Sequence, residues 1–305
     1  MDFGRLENID NVDFSLPPDH KITKELFSQL KSSKKPIQLY VGCAKWGRPD
    51  WIGKIYPKGT KSKEFLSHYV QCFNSIELNA LFYNLQPKKV IERWASIAND
   101  DFRFCPKFSN SITHIRQLKN ADRETDRYID HMLRFGEKLG PAFLQLSDRF
   151  GINRSAVVEN YVKSLPRDFK TIIEFRHQDW FLKNETVDNM FQLFRELKIG
   201  TVITDTSGRR DCLHMKLTTP LAFIRFVGNN LHPTDFKRID SWVKRIKSWM
   251  DKGLKEVYFF IHNHEELNSP ELCKYAIEQF NKKCNTKLKV PELLNSKGKV
   301  GKPYS

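Results

Sequence analysis

A chain of 305 residues, 40% of them hydrophobic and 12% aromatic, has enough apolar material for one large core. Its apolar runs are too short for a membrane span, and its polar start lacks the pattern of a secretory signal, so we expect neither. The formal net charge of +15 predicts an anionic partner: a phosphorylated small molecule, a nucleic acid or an acidic surface.

Residues 1–36 are predicted to form an extension ahead of the main domain. It contains one short helix, in which apolar residues recur at helical spacing. These residues are Ile22, Leu26, Phe27 and Leu30. We expect this segment to pack on the outside of the main domain or to cap its bottom.

From residue 37 onward, eight runs rich in β-branched and aromatic residues predict strands. They cover residues 37–43, 74–79, 101–108, 141–146, 170–175, 200–205, 221–228 and 256–263. Amphipathic stretches between most of them predict helices. These cover residues 61–73, 88–98, 123–140, 154–165, 185–200 and 233–253, with a last helix that begins near Ser269. One connection, residues 206–220, shows little helical pattern.

Strands that are almost continuously apolar indicate a parallel sheet covered by helices. Eight such units, about 30 residues apart, predict a single-domain α/β fold of the TIM-type (β/α)₈ barrel class over residues 37–283. A doubly wound open sheet is the alternative, although residues 41–47 after the first run lack the glycine spacing of a nucleotide-binding loop. Residues 284–305 are predicted to be a basic tail outside the core, which could bind nucleic acid.

Six cysteines are spread along the chain without CxxC spacing, so neither a zinc knuckle nor a thiol redox motif is predicted. Cys43, Cys72 and Cys105 lie in apolar runs and are interpreted as small core residues. This usage predicts a cytoplasmic location, where thiols stay reduced. The oligomeric state is left open by the sequence.

Most of the predicted strands end in polar or charged residues. These are Glu77, Asn79, Lys107, Gln145, Glu174, Arg176, Asp205, Arg225, His262 and Asn263. Residues two apart on a strand share a face, and the outer face must pack against helices. We therefore expect these side chains to point into the barrel mouth, where enzymes of this fold place their sites. A buried ion network that only fixes the top of the barrel is the alternative.

Several segments, in order, resemble those of the YecE-like proteins, domain-of-unknown-function family 72, from about residue 39 to about residue 282. The matching positions are Gly42, Trp46, Trp51, Gly53, Tyr56, Pro57, Glu77, Asn79, Phe82, Tyr83, Lys107, Thr113, His114, Gln145, Glu174, Arg176, His177, Trp180, Arg225 and Gly228. The chain departs from the family pattern at Lys45, Ala80, Leu81 and Val227. The resemblance implies a barrel fold and no particular activity.

The first functional hypothesis is an enzyme that acts on a small anionic substrate without a tightly bound cofactor. Lys107, Arg176 and Arg225 would hold its phosphate or carboxylate groups. Further substrate contacts are expected from Asn79, Tyr83, His114, Gln145, Trp180, Asp205 and Asn263.

The chemistry expected of such an enzyme is acid–base catalysis. Glu77 or Glu174 would move a proton, with His177 or His114 as a partner. These strand-end carboxylates and the neighbouring imidazoles are therefore the candidate catalytic groups.

Two further hypotheses belong to other classes of protein. A divalent metal would make the protein a metal-dependent hydrolase or isomerase, and His262, His264 and Glu265 lie close enough in sequence to contribute ligands. The positive charge also fits a nucleic-acid binding or processing protein, although no known binding motif is present.

Overall fold

The computed structural model describes residues 3–31 and 36–294. All eight predicted strands form within them: β1 Gln38–Cys43, β2 Ser75–Leu78, β3 Arg103–Pro106, β4 Ala142–Gln145, β5 Thr171–Glu174, β6 Gly200–Asp205, β7 Leu221–Gly228 and β8 Glu256–Asn263. The α-helices of the same residues are α1 Lys21–Gln29, α2 Phe65–Cys72, α3 Ala80–Tyr83, α4 Lys88–Ile97, α5 Asp122–Met132, α6 Ser155–Ser164, α7 Glu185–Glu196, α8 Pro233–Asp251 and α9 Ser269–Cys284. Each predicted helix is present, and α3 is an addition to them.

Local sequence explains where the longer helices begin. α7 starts after Asn184, whose Oδ1 accepts a hydrogen bond from the backbone N of Thr186 at 2.8 Å. α8 starts at Pro233, a residue suited to the first helical position because it lacks the N–H that would stay unpaired there. Both helices then turn an apolar face to the strands, which are buried along almost their whole length.

Every strand pair in the structure is parallel. Six strands form one sheet in the order β1-β8-β7-β6-β5-β4, and β2 pairs with β3. The parallel α/β architecture predicted from the sequence is therefore present. Within the described residues, the ladder of backbone hydrogen bonds does not run through all eight strands. It is interrupted between β1 and β2 and between β3 and β4.

Other contacts join the strands at the two interruptions. Beside β1, the side chain of Asn74 replaces a strand partner: its Oδ1 accepts from Val41 N and its Nδ2 donates to Leu39 O, both at 2.9 Å. Gly42 lies so close to the carbonyl of Ser75 that a Cβ would clash there. β3 and β4 meet through isolated bridges, one of which pairs Lys107 with Phe143.

Two layers of apolar side chains pack on the two faces of the strands. The outer layer, between strands and helices, runs from Ile22 in α1 to Cys284 in α9. The inner layer is a separate cluster of nine side chains from every strand except β2: Tyr40, Cys105, Phe143, Ile172, Val202, Leu221, Phe223, Tyr258 and Phe260. The inward-facing positions of the strands therefore share one packed core below the site.

Helix α1 occupies the place of the helix that is absent after β6. Residues 206–220 contain only a short 3₁₀ turn, Arg210–Cys212. Thr23 donates its hydroxyl to Met215 O at 2.8 Å and accepts from Leu217 N at 2.7 Å, which ties α1 to this connection. Phe27 packs against Trp249 of α8. The extension was expected either to pack on the outside of the main domain or to cap its bottom. In the structure α1 packs on the outside, and its buried side chains belong to the outer apolar layer.

The tail prediction is wrong for residues 285–294. Leu288, Val290 and Leu293 pack against the outer core, and Leu294 N donates to Lys54 O at 2.8 Å. The chain returns to the body because Asn281 fixes Leu288 by hydrogen bonds at both its N and its O. The rest of the predicted tail, 295–305, lies outside the described residues, and nucleic-acid binding by the tail stays a prediction.

No helix among the described residues is long and apolar enough to cross a membrane.

Candidate functional site at the carboxyl ends of the strands

A cavity of about 760 Å³ opens at the carboxyl ends of the strands. It is lined by residues in the carboxyl-terminal half of β7 and β8 and at or just after the ends of β1, β2, β3, β4 and β5, because parallel strands bring those ends to one side of the sheet. Basic side chains dominate the lining: Lys45, Arg48, Lys107, Arg176, Arg225, His262 and His264, with the acidic Asp50, Glu265 and Glu266.

Arg225 of β7 joins two buried carboxylates from distant strands. Its Nε and Nη2 donate to both oxygens of Glu77 on β2, at 2.8 and 2.9 Å. Its Nη1 donates to both oxygens of Glu174 on β5, at 2.8 Å each. Neither carboxylate lines the cavity, and both are almost completely buried.

Further donors complete the coordination of the two carboxylates. Glu77 accepts from Asn79 Nδ2 at 2.8 Å and lies 2.9 Å from His262 Nε2. Glu174 accepts from the hydroxyl of Thr204 at 2.9 Å and from Arg176 Nε at 3.3 Å. The two predicted acid–base carboxylates thus lie beneath the cavity floor, where they support its cations.

The charges of this cluster are set by burial and by partners. Burial alone would raise the pKa of Glu77, but Arg225 and His262 outweigh it and hold that pKa well below its usual value. Burial likewise opposes ionisation of Glu174, whose pKa is lowered by Arg225, Arg176 and Lys107. Burial would lower the pKa of His262, but Glu77 raises it overall. Both carboxylates are therefore ionised at neutral pH and are weak bases.

Lys107, which directly follows β3, faces the cavity. Its Nζ donates to Gln145 Oε1 at 3.0 Å and lies 4.0 Å from the centroid of the Phe82 ring. Burial lowers the pKa of Lys107 to about 7, and repulsion from Arg225 and Arg176 adds to that effect. A buried lysine without a paired carboxylate readily loses its proton.

Arg176 lies between the main cavity and a second one of about 410 Å³. Phe3, from the N-terminal segment, lines both cavities, and its ring lies over the Arg176 guanidinium with its centroid 4.3 Å from Cζ. Phe3 O accepts from the Thr206 hydroxyl at 3.1 Å, and Gly4 O accepts from Gly208 N at 2.8 Å. The segment is thus held against the loop after β6.

Asn79, Lys107, Gln145, Arg176 and Arg225 line the main cavity, as the sequence predicts. Tyr83 also lines it, at the rim, where it is 79% exposed. His114 lines the second cavity.

The environment of His114 is partly apolar. Its Nδ1 lies 2.8 Å from the Thr113 hydroxyl, and its ring meets Phe82 edge-on. Burial lowers the pKa of His114, with Lys107 and Arg176 adding to the effect.

Asp205 points away from the cavity, which corrects the prediction made for it. It accepts from Trp242 Nε1 at 2.7 Å and from Arg238 Nη2 at 2.7 Å, both on α8. Its neighbour Thr204 faces inward instead, toward Glu174. Asp205 therefore anchors a helix to β6.

Three further predicted residues have structural partners away from the cavity. Trp180 is fully buried, and its Nε1 donates to Phe150 O at 2.8 Å. His177 caps the following 3₁₀ turn, accepting from Asp179 N at 3.3 Å. Asn263 accepts from Asn230 N at 3.2 Å, which fixes the loop after β7. These contacts explain why strand-end polar residues need not face the site.

Several residues of the cavity were given no catalytic or substrate-binding role, among them His262 and Phe3. His262 was expected only to face the barrel mouth and to be a possible metal ligand, yet it contacts Glu77 and lines the cavity. Its position two residues past Phe260, an inward-facing residue of the same strand, is the signal that could have identified it. Nothing in the sequence around Phe3 indicates that it reaches Arg176.

The possible metal ligands His262, His264 and Glu265 all line the cavity. Among the described residues, no group of three or more His, Cys, Asp or Glu side chains is arranged to hold a metal ion. His262 is instead engaged by Glu77 and, at 3.8 Å, by Glu266.

Fold and site define a mixed α/β protein with a parallel central sheet and a cation-rich cavity at the carboxyl ends of its strands. The chain belongs to the DUF72 family, "Protein of unknown function DUF72", whose model matches residues 40–294. The resemblance noted in the sequence is thereby confirmed.

Known proteins resemble this chain in sequence, and solved structures resemble it in fold. UPF0759 protein YecE of Escherichia coli K12 is 26% identical over 262 residues, which cover 80% of this chain and 93% of YecE. UPF0759 protein YunF of Bacillus subtilis is 27% identical over 150 residues, 47% of this chain and 52% of YunF. Crystal structures of DUF72 family proteins from Enterococcus faecalis and Thermotoga maritima both have a TM-score of 0.61. The Enterococcus faecalis protein is 20% identical, and the match covers 82% of this chain and 99% of the solved chain. The Thermotoga maritima protein is 23% identical, and the match covers 81% of this chain and 99% of the solved chain.

Proposed function

We propose that this protein is an enzyme acting on a small substrate that carries a phosphate or carboxylate, by acid–base chemistry in the main cavity. The observation that carries the proposal is Lys107. It is a buried amine on the cavity wall, and its hydrogen-bond partner among the described residues is the neutral oxygen of Gln145. Because its pKa lies at about 7, it exchanges a proton at physiological pH, as a general acid or base must.

Arg176 is the proposed anion contact. Glu174 engages its Nε, while its two terminal nitrogens have no hydrogen-bond partner within the described part of the chain. A guanidinium with two free nitrogens suits bidentate binding of a carboxylate or phosphate. Arg225 adds positive charge to the cavity but is held by Glu77 and Glu174, so its proposed role is to position the floor.

The finer form of the fold is part of the proposal: a TIM-type barrel. The inner cluster, drawn from seven strands, and the reach of Arg225 from β7 to both β2 and β5 support a ring of eight strands. A cytoplasmic location is also proposed, in keeping with the six free thiols, which include the Cys43–Cys273 contact at 3.3 Å between sulfurs.

Thermal melts with inorganic phosphate test the anion site. Phosphate should raise the melting temperature of the wild type, because a ligand that binds only the folded state stabilises it by about 2.7 kcal/mol at a hundred times its Kd. Arg176→Gln should remove most of this gain. Arg195→Gln is the matched control, since Arg195 on α7 is 15% exposed against 16% for Arg176 and also pairs with a glutamate. An equal phosphate effect in all three proteins, or none in the wild type, would refute the proposal.

A further inference from the structure

We infer that Lys107 is a nucleophile that forms an imine with its substrate, and that the substrate is therefore an aldehyde or ketone carrying a phosphate or carboxylate. This inference rests on the function proposed above, names the substrate class, and refines the role of Lys107: the amine that exchanges a proton in the free protein attacks the carbonyl carbon as a nucleophile.

The first support is the position of the amine. Lys107 is 9% exposed, and its Nζ faces the cavity between the amide of Gln145 and the ring of Phe82. An aromatic ring and a neutral amide stabilise an ammonium less than a carboxylate does. These contacts therefore compensate the charge of an ammonium only weakly, while the amine lies on the cavity wall.

The second support is that Arg225 forms ion pairs with both nearby carboxylates. Glu77 and Glu174 are the acidic residues beneath the cavity, and both are bound to Arg225. No described carboxylate forms an ion pair with Lys107, whereas Arg225 and Arg176 repel its charged form. Glu174 and Glu77 attract the charged form of Lys107 without pairing with it, and burial together with the two arginines outweighs that attraction and lowers its pKa.

The third support is the amount of neutral amine that results. With its pKa lowered to about 7 by burial and by the two arginines, about half of Lys107 is unprotonated at pH 7. An ordinary lysine, with a pKa of about 10.4, is unprotonated at that pH in roughly one molecule in 2500. Desolvated lysines next to other cations are the ones that proteins use to attack carbonyl groups.

The step balances without an oxidant or reductant. The Nζ lone pair attacks the carbonyl carbon, a C–N bond forms, and the π electrons move to oxygen, which takes a proton from the nitrogen. The resulting carbinolamine takes up one proton from solvent, its C–O bond breaks and water leaves. The product is a protonated imine of Lys107, and Arg176 across the cavity would hold the substrate's anionic group.

Pyridoxal 5′-phosphate, an aldehyde that carries a phosphate, is a suitable probe. The protein is incubated briefly with the probe at pH 7, reduced with borohydride, digested and mapped by mass spectrometry. Lys107 should be labelled at least about tenfold more than Lys45, an exposed lysine lining the same cavity. Pyridoxal, which lacks the phosphate, should label Lys107 several-fold less, and inorganic phosphate should protect it.

Two matched variants are compared. Lys107→Met should lose the reduced pyridoxal phosphate label at position 107, and Lys45→Met should retain the label on Lys107. The wild-type peptide map carries the test even if a variant fails to fold. Labelling of Lys107 no greater than that of Lys45 would overturn the inference. If phosphate stabilises the protein while Lys107 stays unlabelled, the imine is wrong and the proposed anion site stands. If Lys107 is labelled selectively while phosphate neither stabilises nor protects, the anion site is wrong and the imine stands.

Discussion

Arg225 binds two buried carboxylates, and this makes the Glu77–Arg225–Glu174 cluster the structural foundation of the site. Removing one partner from a buried ion cluster costs far more than breaking a surface pair, because the remaining charge is left uncompensated in a medium that solvates it poorly. The cost falls on the fold, since neither glutamate lines the cavity. Stability measurements can therefore separate the supporting residues from those that act on a substrate.

Glu174→Gln should destabilise the protein by about 3–5 kcal/mol, because Arg225 and Arg176 would both lose a carboxylate. Urea unfolding of the wild type and the variant measures this. Glu159→Gln is the control. Glu159 forms an exposed i,i+4 pair with Lys163, and its loss should cost under about 0.5 kcal/mol. If Glu174→Gln unfolded like the control, a supporting role for Glu174 would be untenable.

Lys107→Met should stabilise the protein, and the gain should depend on pH. Lys107 has a pKa of about 7 in the fold against 10.5 for the ordinary group, so between these values the unfolded chain binds a proton that the folded chain does not. The contribution of Lys107 to the free energy of unfolding therefore rises with pH between about 7 and 10.5. Below about pH 7 the amine is charged in the folded protein, and the full cost of burying that charge applies. Removing it should add about 2–4 kcal/mol at pH 7 and little near pH 10.

Melts at pH 7 and pH 10 check this expectation for Lys107. Lys163→Met, at an exposed helix position, should change the melting temperature little at either pH. A gain from Lys107→Met that is the same at both pH values would show that it arises from packing and that the amine is not destabilised by burial.

At the scale of elements, α1 compensates for a helix that the chain lacks. The connection after β6 has no α-helix, and α1 is hydrogen-bonded to that connection through Thr23. Arg195 of α7 contacts Glu25 on one side of α1, and Trp249 of α8 contacts Phe27 on the other. The family model begins only at residue 40, so this chain supplies the element from outside the part that its family shares.

Phe27→Ala tests whether α1 belongs to the folded core. Phe27 is buried, and truncating such a residue to alanine typically costs about 3–5 kcal/mol. Leu6→Ala, at a side chain 40% exposed in the same N-terminal segment, should cost under about 1 kcal/mol. Denaturant unfolding monitored by circular dichroism compares the two. A loss for Phe27→Ala as small as that for Leu6→Ala would mean that α1 folds independently of the main domain.

At the scale of the whole molecule, the end of the described chain returns to the body beside α2 and α9. Leu288, Val290 and Leu293 cover the outer core there, and the family model also extends to residue 294. The docking explains how a lysine-rich segment stays ordered: its few apolar residues are spaced to face the protein while its lysines face solvent.

Truncation after Cys284 should lower the melting temperature by several degrees, because three apolar contacts and the Leu294–Lys54 hydrogen bond are lost. Truncation after Leu294 removes only residues 295–305 and serves as the control, which should melt within about a degree of the full chain. Scanning calorimetry of the three proteins gives the comparison. Equal melting temperatures for both truncations would restore the original expectation that the tail begins near residue 285.

The sequence by itself determined which segments become strands and which strand ends are polar. Continuous apolar runs mark strands buried on both faces, and parallel strands bring their carboxyl ends to one side. This reasoning puts Lys107, Gln145, Arg176 and Arg225 at one side of the sheet, and in the structure these four residues line one cavity. The same reasoning located both buried glutamates in the site region, because ionised groups in such strands need partners.

Only the tertiary structure decided which face each strand-end residue occupies and what it contacts. A strand that is apolar on both faces carries no alternation, so the sequence could not show that Thr204 faces inward and Asp205 outward. Nor could it show that Arg225 pairs with both glutamates while Lys107 forms an ion pair with neither, because charge pairing depends on distances between strands far apart in sequence. The placement of α1 and of Leu288 and Val290 followed from uncovered apolar surface, which exists only once the strands and helices have assembled.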